Sequence, residues 1–290
     1  MHKILNTLLC FATVCSCLMC SSCKKSEGTV ENNLDSTVSQ KNENISSVSS
    51  DKIPDGGYVT IPKPDDLSSW REHPEDYKLI ALTFDDAPAF NSADSNYTRT
   101  IIDTLAEHDG KSTLFVIGQS VVKNGESLLK YALSKGFEIG NHGFTHTAIG
   151  SLSSEECYNE IEGCSDIIED ISGKRPLFFR PPMLSVGDGL FEACSELKIS
   201  PILMGGSLNS LDYEPTTTAD DIVNRIRKNA YDGSIVLLHS KYAVTADAIK
   251  PLCKVLYDDG YRFCTLSELF YLKGKEYVPT SQAVTDVYFD

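Results

Sequence analysis

The chain is short of positive charge. Against 41 Asp and Glu it carries only 26 Lys and Arg, a formal net charge of -15 over 290 residues. Binding a phosphate backbone needs a basic surface. This balance therefore argues against a nucleic-acid partner and sits more comfortably with neutral glycans. Past the N-terminus cysteine is sparse: Cys157, Cys164, Cys194, Cys253 and Cys264. Their number is odd and none stands in a CxxC pair, so neither a closed disulfide framework nor a zinc finger is implied. Cys157 and Cys164, seven apart on a predicted helix, read as small buried apolar residues. There is one tryptophan, Trp70, expected to pack beneath the first strand of the body rather than on the surface. What remains, 41% hydrophobic and 23% charged, is ordinary for a globular protein, and the length allows one large domain or two small ones.

The N-terminus reads as an address. Met1-His2-Lys3 is a short basic start and Ile4 to Met19 is mostly apolar, short of the ~20 residues of a comfortable membrane span. That is the shape of a secretory signal. It ends in Cys20-Ser21-Ser22-Cys23-Lys24, which resembles the lipobox of bacterial lipoproteins. Cys23 is the first choice for lipidation, with Cys17 and Cys20 as alternatives. An uncleaved anchor or a plainly secreted protein are the other readings. Residues 24–57, rich in Ser, Asn, Lys and Glu, bury too little apolar area to offset chain entropy and are expected to be a disordered tether. The expected organisation is a leader over 1–23, the tether over 24–57, a lead-in segment over 58–75, a catalytic domain over 76–272 and a C-terminal tail over 273–290.

From residue 79 the chain alternates between the period of strands and that of helices. Strands are predicted at 79–84, 112–117, 137–140, 177–179, 199–204, 234–238 and 261–264, with helices between them. Ser153 and Glu156 form a capping box for one helix, and Thr265 with Glu268 starts the last. Some seven strands alternating with helices predict an α/β fold, a parallel sheet covered by helices and either open or closed as a barrel. In such folds chemistry gathers at the C-terminal ends of strands. The chemically suggestive residues fall there: Asp85 and Asp86, His142, Arg180, Asp212 and His239.

Leu79-Ile80-Ala81-Leu82-Thr83-Phe84-Asp85-Asp86 is an apolar run ending in two carboxylates, which are costly to bury without partners. His142 and His146 are four apart and could share a metal if the turn between them is helical. A carboxylate added to two histidines, with open positions left over, makes a catalytic metal site. One aspartate could then bind the metal while the other acts as base, held ionised and aimed by Arg180. His239 could be a general acid, kept cationic by Asp212.

Taken together the motifs resemble those of the polysaccharide deacetylase family, carbohydrate esterase family four. Thr83-Phe84-Asp85-Asp86-Ala87-Pro88 resembles its first motif, His142 to His146 its second and Arg180-Pro181-Pro182 its third. Asp212-Tyr213 is similar to its Asp-Trp pair, and Ile235-Val236-Leu237-Leu238-His239 to its fifth motif. The resemblance implies a distorted (β/α) barrel of about seven parallel strands with outer helices. It implies Asp85 as base, Asp86, His142 and His146 as ligands of one divalent ion, Zn2+ first with Co2+, Ni2+ or Mn2+ as alternatives, Arg180 as the group that orients Asp85, and Asp212 tuning the acid His239. Pro182, Met183, Tyr213 and Leu237 fall at substrate-pocket positions, with the Met183 N–H facing the oxyanion. Gly143 stands where the family has a Ser or Thr that braces the metal loop, Met183-Leu184 where it has an aromatic and Gly, and Tyr213 where it has Trp. No metal ligand or proton-transfer residue is missing, so an active enzyme is expected. The expected substrate is an acetylated polysaccharide, cleaved at N-acetyl groups of peptidoglycan or another surface or chitin-like glycan. The alternatives are an O-deacetylase such as an acetylxylan esterase, and a catalytically silent glycan-binding lipoprotein. A lipid anchor would place it on the outer face of a bacterial membrane.

Overall fold

The computed structural model describes residues 57–88 and 96–287. The expected leader with Cys23, the tether up to residue 56 and the last three residues of the tail lie outside them. Chain order is β1 (Tyr58–Thr60), β2 (Lys78–Ala87), α1 (Tyr97–Ala106), β3 (Thr113–Val116), α2 (Gly118–Ser120), α3 (Glu126–Ser134), β4 (Glu138–Asn141), α4 (Ser154–Ser172), β5 (Phe178–Phe179), α5 (Asp188–Leu197), β6 (Ser200–Pro201), α6 (Ala219–Asn229), β7 (Ser234–His239), α7 (Ala243–Asp258), β8 (Tyr261–Phe263), α8 (Leu266–Leu272) and β9 (Tyr277–Pro279). No helix among the described residues is long and apolar enough to cross a membrane.

Seven strands form one parallel sheet in the order β6-β5-β4-β3-β2-β7, and β8 pairs with the first residues of β2. β2 lies at the middle because its apolar run can be buried on both faces. Its alternate residues serve two cores. Leu79 and Ala81 pack inside the curl of the sheet with Phe115, Phe178, Ile202 and Ile235. Ile80, Leu82 and Phe84 pack outward under Ile101, Leu128, Ile222 and Leu252 of the covering helices. Trp70 is buried in the inner core with Leu79, as expected.

Strand pairing alone does not close the ring between β6 and β7. The loop after β6 does so: Leu237 N–H donates to the Leu208 carbonyl and Ser210 N–H to that of Leu237, both at 3.0 Å. The expected strand over 199–204 is therefore only two paired residues. Pro201 has no N–H to give, and from Leu203 the chain leaves β5. The C-terminal segment fills the seam, with Leu203 N–H on the Val284 carbonyl and Val287 N–H on that of Gly233. β1 and β9 make an antiparallel pair outside the main sheet. Three residues each is too short for a periodic signal, so the pair was not expected. The helix predicted between the strands at 112–117 and 137–140 is in three parts, with a π-helical turn at Val121–Gly125 between α2 and α3.

Both anticipated caps are present, and a third is found at Thr218. Ser153 with Glu156, Thr218 with Asp221 and Thr265 with Glu268 each form a reciprocal capping box. The five body cysteines are buried free thiols. Cys157 packs beside Ile149 and Cys194, Cys164 in the outer core, so the two do not share a neighbourhood.

Candidate metal and acid–base site

Period two along each strand selects which side chains enter the curl of the sheet. Asp85 follows Leu79, Ala81 and Thr83 on the inner face, and His239 follows Ile235 and Leu237. Asp85 and His239 are register partners across β2 and β7. Arg180 follows Phe178 past the end of β5. The residue after Asp85 should point outward. It does not, because the β2–β3 register slips between Phe84 and Ala87 and Asp86 takes φ +59. A bulge of this kind re-aims a side chain at a sheet rim, and here it turns two adjacent carboxylates into one site.

Asp86, His142 and His146 converge, with one donor atom from each lying within 4.8 Å of the others. Asp86 Oδ1 is 3.0 Å from His146 Nε2 and 3.6 Å from His142 Nε2, yet this buried oxygen has no hydrogen-bond partner. His142 Nδ1 lies 2.7 Å from the Arg180 carbonyl, to which its N–H donates, leaving Nε2 with its lone pair toward Asp86. Burial pushes the His142 imidazolium down against the pull of Asp85 and Asp86, which favours the neutral ring that a ligand needs. Burial would raise the Asp86 carboxyl; His146, His142 and Lys241 outweigh it and hold it well below the usual range. Two imidazoles, an ionised carboxylate and an orphaned oxygen between them fit a divalent cation.

The spacing of His142 and His146 is not that of a helical turn. The two are joined by an irregular loop in which Gly143 has φ +79 and His146 φ +66. Gly143 suits the first of these. The loop is braced by Glu160 of α4. Its carboxylate accepts the Phe144 and Thr145 N–H groups at 3.1 and 2.9 Å and the Thr145 hydroxyl at 2.8 Å.

Asp85 has a different partner. Arg180, wholly buried, donates to Asp85 Oδ1 at 2.9 Å and to the Thr83 hydroxyl at 2.6 Å. Its Nε and Nη2 donate to the Ile202 and Leu203 carbonyls, and its Cζ lies 4.3 Å from the Phe115 ring centre. Such a guanidinium fixes the carboxylate's direction.

On the other side His239 Nδ1 is 2.7 Å from Asp212 Oδ1, while Asp212 Oδ2 accepts the His239 N–H and the Thr245 hydroxyl. Burial disfavours the imidazolium, but Asp212 outweighs it and raises His239 above its ordinary value. The ring is flanked edge-on by Tyr213 and by Tyr242, at 5.7 and 5.6 Å between centres. Pro182 and Leu237 are buried, whereas Met183 is 65% exposed with φ +53. In that turn Leu184 and Ser185 donate back to Pro181 and Pro182.

The sequence motifs had not pointed to Lys241, Glu160, Tyr242 or Thr245. Lys241 Nζ lies 2.7 Å from Asp86 Oδ2. Its nearness to His239 in the chain was the one available signal.

A family model described as polysaccharide deacetylase matches residues 72–202. A peptidoglycan-N-acetylglucosamine deacetylase of Bacillus cereus is 35% identical, covering 75% of this chain and 95% of that protein. The peptidoglycan-N-acetylmuramic acid deacetylase PdaC of Bacillus subtilis is 37% identical over 72% of this chain, which spans only 42% of that relative's length. Among solved structures, a family 4 acetyl xylan esterase from Clostridium thermocellum in complex with a cobalt ion superposes with a TM-score of 0.64 at 31% identity, covering 72% of this chain and 99% of that one.

Proposed function

The chain belongs to the polysaccharide deacetylase family, and from that premise we propose that it removes N-acetyl groups from N-acetylglucosamine in peptidoglycan or a related surface glycan. The observation that carries this is the pairing of two acid–base devices across one cation-binding cluster: Asp85 clamped by Arg180 on one side, His239 clamped by Asp212 on the other. Relatives named as peptidoglycan deacetylases support the substrate class.

Asp86, His142 and His146 would hold the divalent ion, Zn2+ by the donor set, which when bound polarises the acetyl carbonyl. Asp85 takes a proton from the attacking water, and its bond to Arg180 keeps it aimed. The Met183 N–H faces the oxygen on which charge develops. His239, cationic through Asp212, gives a proton from Nε2 to the departing nitrogen. Leu237 and Tyr213 enclose the acetyl methyl, and Pro182 backs the pocket. The leader ending in Cys23 supports a lipid-anchored protein on the outer face of a bacterial membrane.

A second reading is O-deacetylation. The likeness to an acetyl xylan esterase along nearly that whole chain favours it, and the same proton donor would serve an alkoxide. Incubating the metal-loaded protein with acetylated chitooligosaccharide and with acetylated xylan, and measuring released acetate and free amine, decides between them. Release from xylan alone would sink the N-deacetylase reading. Release from neither, with a generic acetyl ester also untouched, would leave the glycan-binding reading.

A further inference from the structure

The two neighbouring carboxylates are each met by a cation from the chain, but in different ways. Arg180 is wholly buried and spends its donors on Asp85, Thr83 and two backbone carbonyls, so its pairing is permanent. Lys241 reaches Asp86 Oδ2 at 2.7 Å from a side chain that is 42% exposed. It stands two residues past His239, just before α7, with its ammonium 5.2 Å from the Tyr242 ring centre. A half-exposed lysine on a flexible stem can withdraw to water; a buried guanidinium cannot.

The charges then add up as follows. Two carboxylates against one guanidinium and one ammonium sum to zero. The oxygen of Asp86 that Lys241 leaves alone, Oδ1, is the one facing His142 and His146. A divalent ion bound there would share a single carboxylate with an ammonium and raise the local sum to plus two, beside the buried Asp86 and His142 side chains. Lys241 could instead help by orienting Asp86. That orientation, however, is already set by a buried side chain on a bulged backbone, so repulsion is the larger effect.

We propose that Lys241 is a built-in stand-in for the metal: it neutralises Asp86 while the site is empty, must leave when the divalent ion binds, and so weakens the affinity for that ion. This rests on the metal-site reading above. It predicts opposite effects on the two states. Removing the ammonium destabilises the metal-free protein, which keeps a buried carboxylate with less compensation, and tightens metal binding.

The test is titration of the metal-free full chain with CoCl2, followed by visible absorption and by thermal melting. Lys241→Met and Lys241→Gln should each bind Co2+ roughly tenfold more tightly, within the range of couplings between linked sites. Both should melt lower than the parent without metal and close to it at saturation. Lys241→Gln retains a hydrogen bond to Asp86, so it separates lost charge from lost orientation, while Lys241→Arg should keep the parental affinity. Unchanged or weaker Co2+ binding by both neutral variants overturns the proposal. If the parent binds no Co2+, or Asp86→Asn binds it as well as the parent does, the metal site itself is wrong and the proposal falls with it.

Discussion

Asp85 and Asp86 are adjacent in the chain yet have separate partners, so changes at each should separate proton transfer from metal binding. Asp85→Asn is expected to lose roughly 100- to 10,000-fold in kcat, the usual share of a general base, while Co2+ affinity stays near the parental value. Acetate-release kinetics and metal titration on the same preparation check both halves. Arg180→Met leaves the Asp85 charge buried without its guanidinium and should cost roughly 3–5 kcal/mol of stability in a denaturant titration. At His239 the sign follows from the raised imidazole. The protonated donor persists to higher pH than a free histidine's would, and activity falls as pH rises through the raised pKa. Asp212→Asn removes the cause and should move the alkaline limb of kcat to lower pH. The same pairing adds stability that is fully present below the unfolded pKa and is lost as pH rises through the folded one. A limb that stays in place in Asp212→Asn would contradict the acid assignment.

Among the elements, β2 and the loop after β4 carry the site. β2 supplies both aspartates only because its bulge breaks strict alternation. The loop from His142 to His146 is held from outside by Glu160 on α4. Glu160→Ala should therefore weaken Co2+ binding by roughly 10- to 100-fold, as loss of an outer partner of metal ligands does, with little change in α4 itself because its capping box is intact. Calorimetric titration with CoCl2 and far-ultraviolet circular dichroism read the two effects.

Across the whole molecule, the ring of strands is completed by segments that are not regular strands. Val284 and Val287 cover the seam beside Ile202 and Ile235. Ending the chain at residue 283 removes both side chains and should cost roughly 2–4 kcal/mol at the usual worth of buried valine, seen as a lowered melting temperature. The alternation of strands and helices was legible because periodicity is written among near neighbours, and it located Asp85, His142, Arg180 and His239 at strand ends. The β1–β9 pair was not legible, since its two short strands lie at opposite ends of the described chain. Sequence by itself determined the α/β class, the apolar core and the donor and acid–base residue types the site could draw on. Tertiary structure decided which of them meet: the bulge that turns Asp86 inward, the brace from Glu160 and the ammonium of Lys241 on the metal-facing carboxylate. Each depends on backbone conformation or on contacts between residues remote in the chain, about which local periodicity carries no information.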